Sequence, residues 1–244
     1  MKRRNKTAFG SIMALALGVV LISGCSDDAD SMPMAEEEKA SLRVLHLSPD
    51  APEVDIFVNG MDKAVEALPF AAGTDYLNVD EGMYDFAVAP NGGMVMDSVL
   101  DITDITLTKG TFYTAVAFGM LNNISALALV DDYSALDPGL IRVRAIHTAD
   151  GVGEVDIWNI PEAGDPGALY EDVGYGAVGG YLELPEGAYT IGFDVDNDAT
   201  PDLTFRLPAL PAGTVANVFA VKDDSGVYLI AQLQDGAIAT ISPE

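Results

Sequence analysis

From residue 42 onward the chain alternates apolar and polar positions at a period of two, in runs of strand length. Val54, Ile56 and Val58 interleave with Asp55 and Phe57 and run into Asn59-Gly60, a hairpin-turn pair. Tyr84, Phe86 and Val88 repeat the pattern after Glu81-Gly82 and stop at Pro90-Asn91-Gly92-Gly93. The stretch TFYTAVAF at 111–118 is rich in β-branched and aromatic residues, follows Lys109-Gly110, and leads to a further strand over 124–130. Later runs predict strands over 155–158, 181–184, 189–195, 203–207, 215–221 and 227–233. No segment sustains a helical period. Turn residues at intervals of roughly 8 to 12 predict an all-β chain of immunoglobulin-like antiparallel β-sandwiches.

The strands come in two sets. RVLHLSPDAPEVDIFVNG at 43–60 is answered by RAIHTADGVGEVDIWNI at 144–160. His46 and His147 stand 101 residues apart, as do Glu53 and Glu154, which open the two Glu-Val-Asp-Ile runs. Tyr76-Leu77 with Glu81-Gly82-Met83-Tyr84 returns as Tyr181-Leu182 with Glu186-Gly187-Ala188-Tyr189. A period of about 100 residues is the size of a domain, beyond the roughly 20 to 50 of a solenoid unit. The expected organisation is two tandem sandwich domains, residues 42–136 and 140–244, joined through Asp137-Pro138-Gly139. So short a linker implies that the two sandwiches touch.

Residues 1–24 read as an export signal. Lys2, Arg3, Arg4 and Lys6 precede an apolar stretch over 8–22 that is short and wrongly flanked for a membrane span. Ile22-Ser23-Gly24-Cys25 looks like a lipobox around the single cysteine. Cleavage before Cys25 leaves an N-terminal cysteine for acylation on sulfur and nitrogen, with palmitate among the acyl chains. Several chains anchor firmly, because each buried methylene contributes about 0.8 kcal/mol. Ser26, where an aspartate favours inner-membrane retention, directs the expectation to the outer membrane of a Gram-negative bacterium. Residues 25–41, with Asp27, Asp28, Asp30, Glu36, Glu37 and Glu38, form an acidic, self-repelling tether.

One phrase of the first repeat has a family likeness. His46-Leu47-Ser48-Pro49-Asp50-Ala51-Pro52, then Val54 to Gly60, Leu68-Pro69-Phe70 and Tyr76-Leu77 together resemble the bacterial envelope family known as domain of unknown function 4397. The second repeat departs from it, with Ala149-Asp150-Gly151 and Val173-Gly174-Tyr175 at two of these places. The resemblance implies a β-sandwich module of exported proteins, often in tandem. It brings no catalytic residues to carry over.

Charge narrows the partners. The chain carries −26 at pH 7, and loss of the signal removes four basic residues and no acid, leaving −30. Such a surface repels nucleic acid and anionic head groups, so neither is an expected partner. With Cys25 acylated no disulfide forms, and each sandwich depends on its core.

Candidate chemistry is sparse. Asp194, Asp196, Asp198 and Asp202 resemble the alternate carboxylates of a calcium loop, since calcium takes six to eight oxygens at about 2.3 to 2.6 Å. Ala199 stands where such loops have glycine, and the alternative is a solvated acidic hairpin. His46 and His147 suit a metal or a general base only with partners, and the simpler reading is a hydrogen bond to a neighbouring loop. Asp50, Glu53, Asp55, Glu154 and Asp156 read as edge and loop charges. Tyr84 and Tyr189, each after Gly-x, resemble the tyrosine of a corner tying one sheet to the other. Residues 174–180 read as a flexible loop, and Trp158, Tyr170, Tyr175 and Tyr181 as a platform for a sugar or as core. No nucleophile elbow, zinc motif or phosphate loop is present, so no enzyme is expected. The expected function is a lipid-anchored, non-catalytic binding or scaffolding protein of the cell envelope, with an envelope protein or glycan as partner. The alternative is a calcium-dependent or carbohydrate-binding surface adhesin.

Overall fold

The computed structural model describes residues 38–60 and 62–244. The expected export signal, Cys25 and all but the end of the expected tether lie outside the described residues. In the first repeat the strands are β1 (Ala40–Leu47), β2 (Val54–Val58), β3 (Asp62–Leu68), β4 (Ala72–Gly73) and β5 (Leu77–Val79). They continue as β6 (Gly82–Pro90), β7 (Leu100–Leu107), β8 (Phe112–Phe118) and β9 (Ser125–Asp131). The second repeat holds β10 (Leu140–His147), β11 (Val155–Asn159), β12 (Gly167–Val173), β13 (Leu182–Pro185) and β14 (Gly187–Asp194). It ends with β15 (Leu203–Leu210), β16 (Val215–Asp223), β17 (Gly226–Leu233) and β18 (Ile238–Ile241). Among the described residues no helix is long and apolar enough to cross a membrane.

Each repeat folds into two sheets. Those of the first are β4-β1-β8-β9, with β5 also on β1, and β3-β2-β6-β7. Those of the second are β13-β10-β16-β17-β18 and β12-β11-β14-β15. The pairing is antiparallel except that β1 runs parallel to β8, and β10 to β16. Alternation cannot distinguish the two, because side chains face opposite sides in either kind of ladder. β1 begins at Ala40, so the last two residues expected in the tether belong to the first strand. β3, β7, β12 and β18 escape the period-two reading, β7 because a bulge with a left-handed Asp104 interrupts its alternation. Asp62–Leu68 is mostly exposed and half polar, β12 is broken by bulges, and β18 has four residues.

Three layers of apolar contact hold these sheets. Val44 of β1 packs with Val54, Ile56, Leu68 and Val88 across the first sandwich. Phe193, Phe205 and Leu207 pack with Leu229 and Ile241 across the second. The third layer joins the repeats: Leu45, Val116 and Phe118 meet Ile146, Phe219 and Ile230. Alternation explains it, since on β1 Val44 faces its own sandwich while Leu45 faces the other repeat. Glu38–Glu244 is one compact unit, with the inner sheets of the two repeats back to back.

Residues 174–180 are tied down, contrary to expectation. Gly176 and Gly179 donate to the carbonyls of His147 and Ala145, and Val178 forms a bridge to Ile146. The glycines let this segment lie against the edge of β10.

Candidate functional site

The duplicated histidines are each enclosed at the end of an inner strand, 0% and 1% exposed. His46 Nε2 lies 3.2 Å from the carbonyl of Pro52, and His147 Nε2 lies 2.9 Å from that of Gly153. A carbonyl only accepts, so Nε2 carries the proton in both rings. Nδ1 in turn accepts the backbone N–H of Ser48 or Ala149. Each ring is thus neutral with both nitrogens engaged, and burial holds both pKa values below the usual histidine value. Phe70 and Tyr175 pack edge-on against the two rings.

Asp55 is a buried structural carboxylate rather than an edge charge, with 0% exposure. It receives Lys63 Nζ at 2.7 Å and the backbone N–H groups of Ala67 and Gly92 at 2.9 Å each. Burial opposes the charge most, yet Lys63 and the two amides outweigh it and hold the pKa below the usual value. Asp156 repeats one of these bonds by accepting from Asp172. The hydroxyl of Tyr84 donates to the carbonyl of Asp80 at 2.9 Å, and that of Tyr189 to Pro185 at 2.6 Å. Each bond ties the crossing between sheets, and both tyrosines are half-buried.

The acidic hairpin between β14 and β15 is shaped by its own aspartates. Asp194 is buried, and its Oδ1 accepts from Asn197 and Asp198 while its Oδ2 accepts from Ala199 at 2.8 Å. Asn197 and Ala199 take left-handed φ values of 59° and 65° to aim those amides inward. Asp202 accepts from Val195, and Asp198 turns away to cap Thr200. Carboxylate oxygens of Asp194, Asp196 and Asp202 lie within 4.8 Å of one another, so the expected quartet becomes a trio without Asp198. Asp198 foremost, then desolvation, Asp202 and Asp194, raises the pKa of Asp196.

Sequence reasoning missed the polar centre of the inter-repeat layer. Arg43 donates to Thr114 Oγ1 at 2.8 Å and across to the carbonyl of Leu233 at 2.7 Å. Arg144 donates to Asn217 Oδ1 at 2.7 Å and across to the carbonyl of Val130 at 3.0 Å. Each guanidinium lies over a tyrosine ring, Tyr76 at 4.7 Å and Tyr181 at 4.4 Å. Asp131, with a side chain 1% exposed, is shared between them, 2.7 Å from Arg144 and 3.6 Å from Arg43. Gln234 stands at the matching place in the second repeat and bonds the backbone of Val215. Two arginines therefore face one carboxylate. The signal was there in the recurrence of Arg43 as Arg144 and Tyr76 as Tyr181.

The four candidate aromatics do not assemble into a platform. Tyr181 is taken up by Arg144, Tyr175 by Phe118 and His147, and Tyr170 packs on the second core. Trp158 has a buried ring N–H without a partner among the described residues.

These features define a tandem all-β sandwich protein. A family described as Domain of unknown function (DUF4397) matches residues 40–158, from β1 into β11. No curated protein matches the chain. Among solved structures, a Bacteroides uniformis protein provisionally described as a cell adhesion protein is 12% identical, with 84% of this chain and 100% of that one covered at a TM-score of 0.28. A streptococcal virulence factor that binds alpha-glucan is 13% identical, with 77% and 95% covered at 0.26. A fimbrial assembly protein of Parabacteroides distasonis is 10% identical, with 84% and 100% covered at 0.25. Likenesses this distant assign no function.

Proposed function

We propose that the protein is a non-catalytic binding or scaffolding module of a Gram-negative cell envelope, anchored at the outer membrane by lipid on Cys25. One observation carries the non-catalytic reading: the polar residues duplicated between repeats are committed to holding the fold. Both histidines are neutral and bonded to backbone, and the repeated arginines lie in the layer between repeats. Chemistry at a surface would need such groups free to meet a substrate. The acidic tether and the lipobox support an anchored module held away from the membrane. Cells fed an alkyne-tagged palmitate are expected to label the wild type and not Cys25→Ser. An unlabelled wild type overturns the anchor, and turnover of a glycan or peptide that one substitution abolishes overturns the non-catalytic reading.

A calcium-dependent adhesin is the second reading, favoured by the convergence of Asp194, Asp196 and Asp202. Their mutual repulsion is relieved by a divalent cation, and Oδ2 of Asp194, which accepts one backbone N–H where Oδ1 accepts two, keeps accepting capacity for it. Calorimetry on the mature chain is expected to show saturable calcium binding that Asp196→Ala removes and Asp198→Ala weakens less. Because the pKa of Asp196 is raised, protons compete, and affinity falls as the pH drops toward the carboxylate range. A melting temperature indifferent to calcium at millimolar concentration sinks this reading.

A further inference from the structure

The two repeats differ at one edge. In the second, β18 runs antiparallel along β17, with Ile241 opposite Leu229 and Ile238 opposite Gln232. Ile241 enters the second core, while Ile238 reaches Gly73 of the first repeat on the other face. In the first repeat the chain leaves β9 directly for β10. Among the described residues no strand pairs with the outer edge of β9, where the carbonyl of Val130 accepts from Arg144.

The exposed positions record the same gap. Ala231 is 8% exposed beneath β18, whereas its counterpart Ala128 lies open and Val130 is 55% exposed. Leu229 and Phe205 of the second core are Ala126 and Ile102 in the first, where a cavity of about 160 Å³ remains between the sheets. The cavity in the second sandwich is about 50 Å³. On the other face Val178 bridges to Ile146 as Gly73 pairs with Leu45, yet Val178 is 40% exposed where Gly73 is met by Ile238.

We infer that the free edge of β9 docks an extended segment of a partner protein, which adds as an antiparallel strand in the place β18 takes on β17. Edge strands present unpaired amides and carbonyls that a strand can satisfy. In the second repeat the N–H of Leu233 donates to Ala237, so the matching N–H of Val130, and that of Ala128 two residues along, point outward. The segment carries a large aliphatic residue opposite Ala126, to fill the cavity, and an apolar residue opposite Leu129, to cover Val178. Against a chain of net charge −26, an uncharged or basic segment fits. β7 touches β9 directly, whereas β18 reaches β15, so docking parts β7 from β9. The inference rests on the binding-module reading.

The probe is a fluorescent peptide with the sequence of residues 236–243, blocked at both ends, which contains β18 and no charged side chain, titrated into the mature chain. Saturable binding is expected, weakened roughly tenfold or more by Ile241→Asp in the peptide and by Ala128→Pro in the protein. Proline removes an outward N–H and leaves the bonds to β8, a substitution edge strands tolerate. Val178→Asp, on an exposed side chain, serves as a second variant and is expected to weaken binding too. Unaltered melting temperatures establish that both variants are folded. Absence of binding, or binding that neither protein variant weakens, overturns the site. Self-association of the wild type that Ala128→Pro abolishes overturns the partner in favour of a second copy. Lipid labelling and calcium binding do not depend on this edge, so its failure and that of the binding-module reading are distinguishable.

Discussion

Replacing Asp131 by alanine is expected to lower stability by about 3–5 kcal/mol, the cost of leaving buried charge without its partner. The arginines beside it are both buried: Arg43 is 1% exposed and Arg144 is 7% exposed. Asp131 also accepts from Tyr76 at 2.7 Å, from Asn217 at 3.0 Å and from Thr114. Its loss therefore strands donors on both repeats at once. Asp131→Asn keeps the shape, places an amide among donors, and is expected to cost a similar amount. Urea denaturation measures the difference. A loss below about 1 kcal/mol is what a surface pair would show, and it would mean that the carbonyls of Leu233 and Val130 and the tyrosine rings hold the arginines unaided.

Gln232→Leu is expected to have the opposite sign, a gain of about 1–3 kcal/mol. Gln232 is 0% exposed, and its side-chain oxygen and nitrogen have no hydrogen-bond partner among the described residues. Burying an amide without partners sacrifices its hydration for nothing. The first repeat has Leu129 at the matching place, in the apolar layer between repeats, and leucine is close to glutamine in volume. The reciprocal Leu129→Gln is expected to destabilise. Thermal unfolding of the two variants decides the matter, and a Gln232→Leu protein that melts below the wild type refutes the account.

Particular residues show how far the sequence could be read. His46 and His147 were visible as a pair, and their loop bonds follow from their place at equivalent strand ends. The aspartates of the β14–β15 hairpin were visible as a run, but which three converge depended on backbone turns at Asn197 and Ala199. Asp55 looked like an edge charge because alternation assigns a side chain to a face without saying what covers that face. The covering comes from Ala67 and Gly92, 12 and 37 residues away.

What the sequence by itself determined was local or repeated: the strand period, the duplication, the acidic surface, and the lipobox expectation at Cys25. Each depends on neighbours in the chain or on matching phrases. Only the tertiary structure decided which strands pair in parallel, that the inner sheets lie back to back, and that Arg43, Asp131 and Arg144 share one buried site. It alone decided that β18 closes one sandwich while, among the described residues, no strand covers the edge of β9. The physical reason is that a strand's two faces and two edges are chemically equivalent along its own sequence, and only packing against distant segments makes them different.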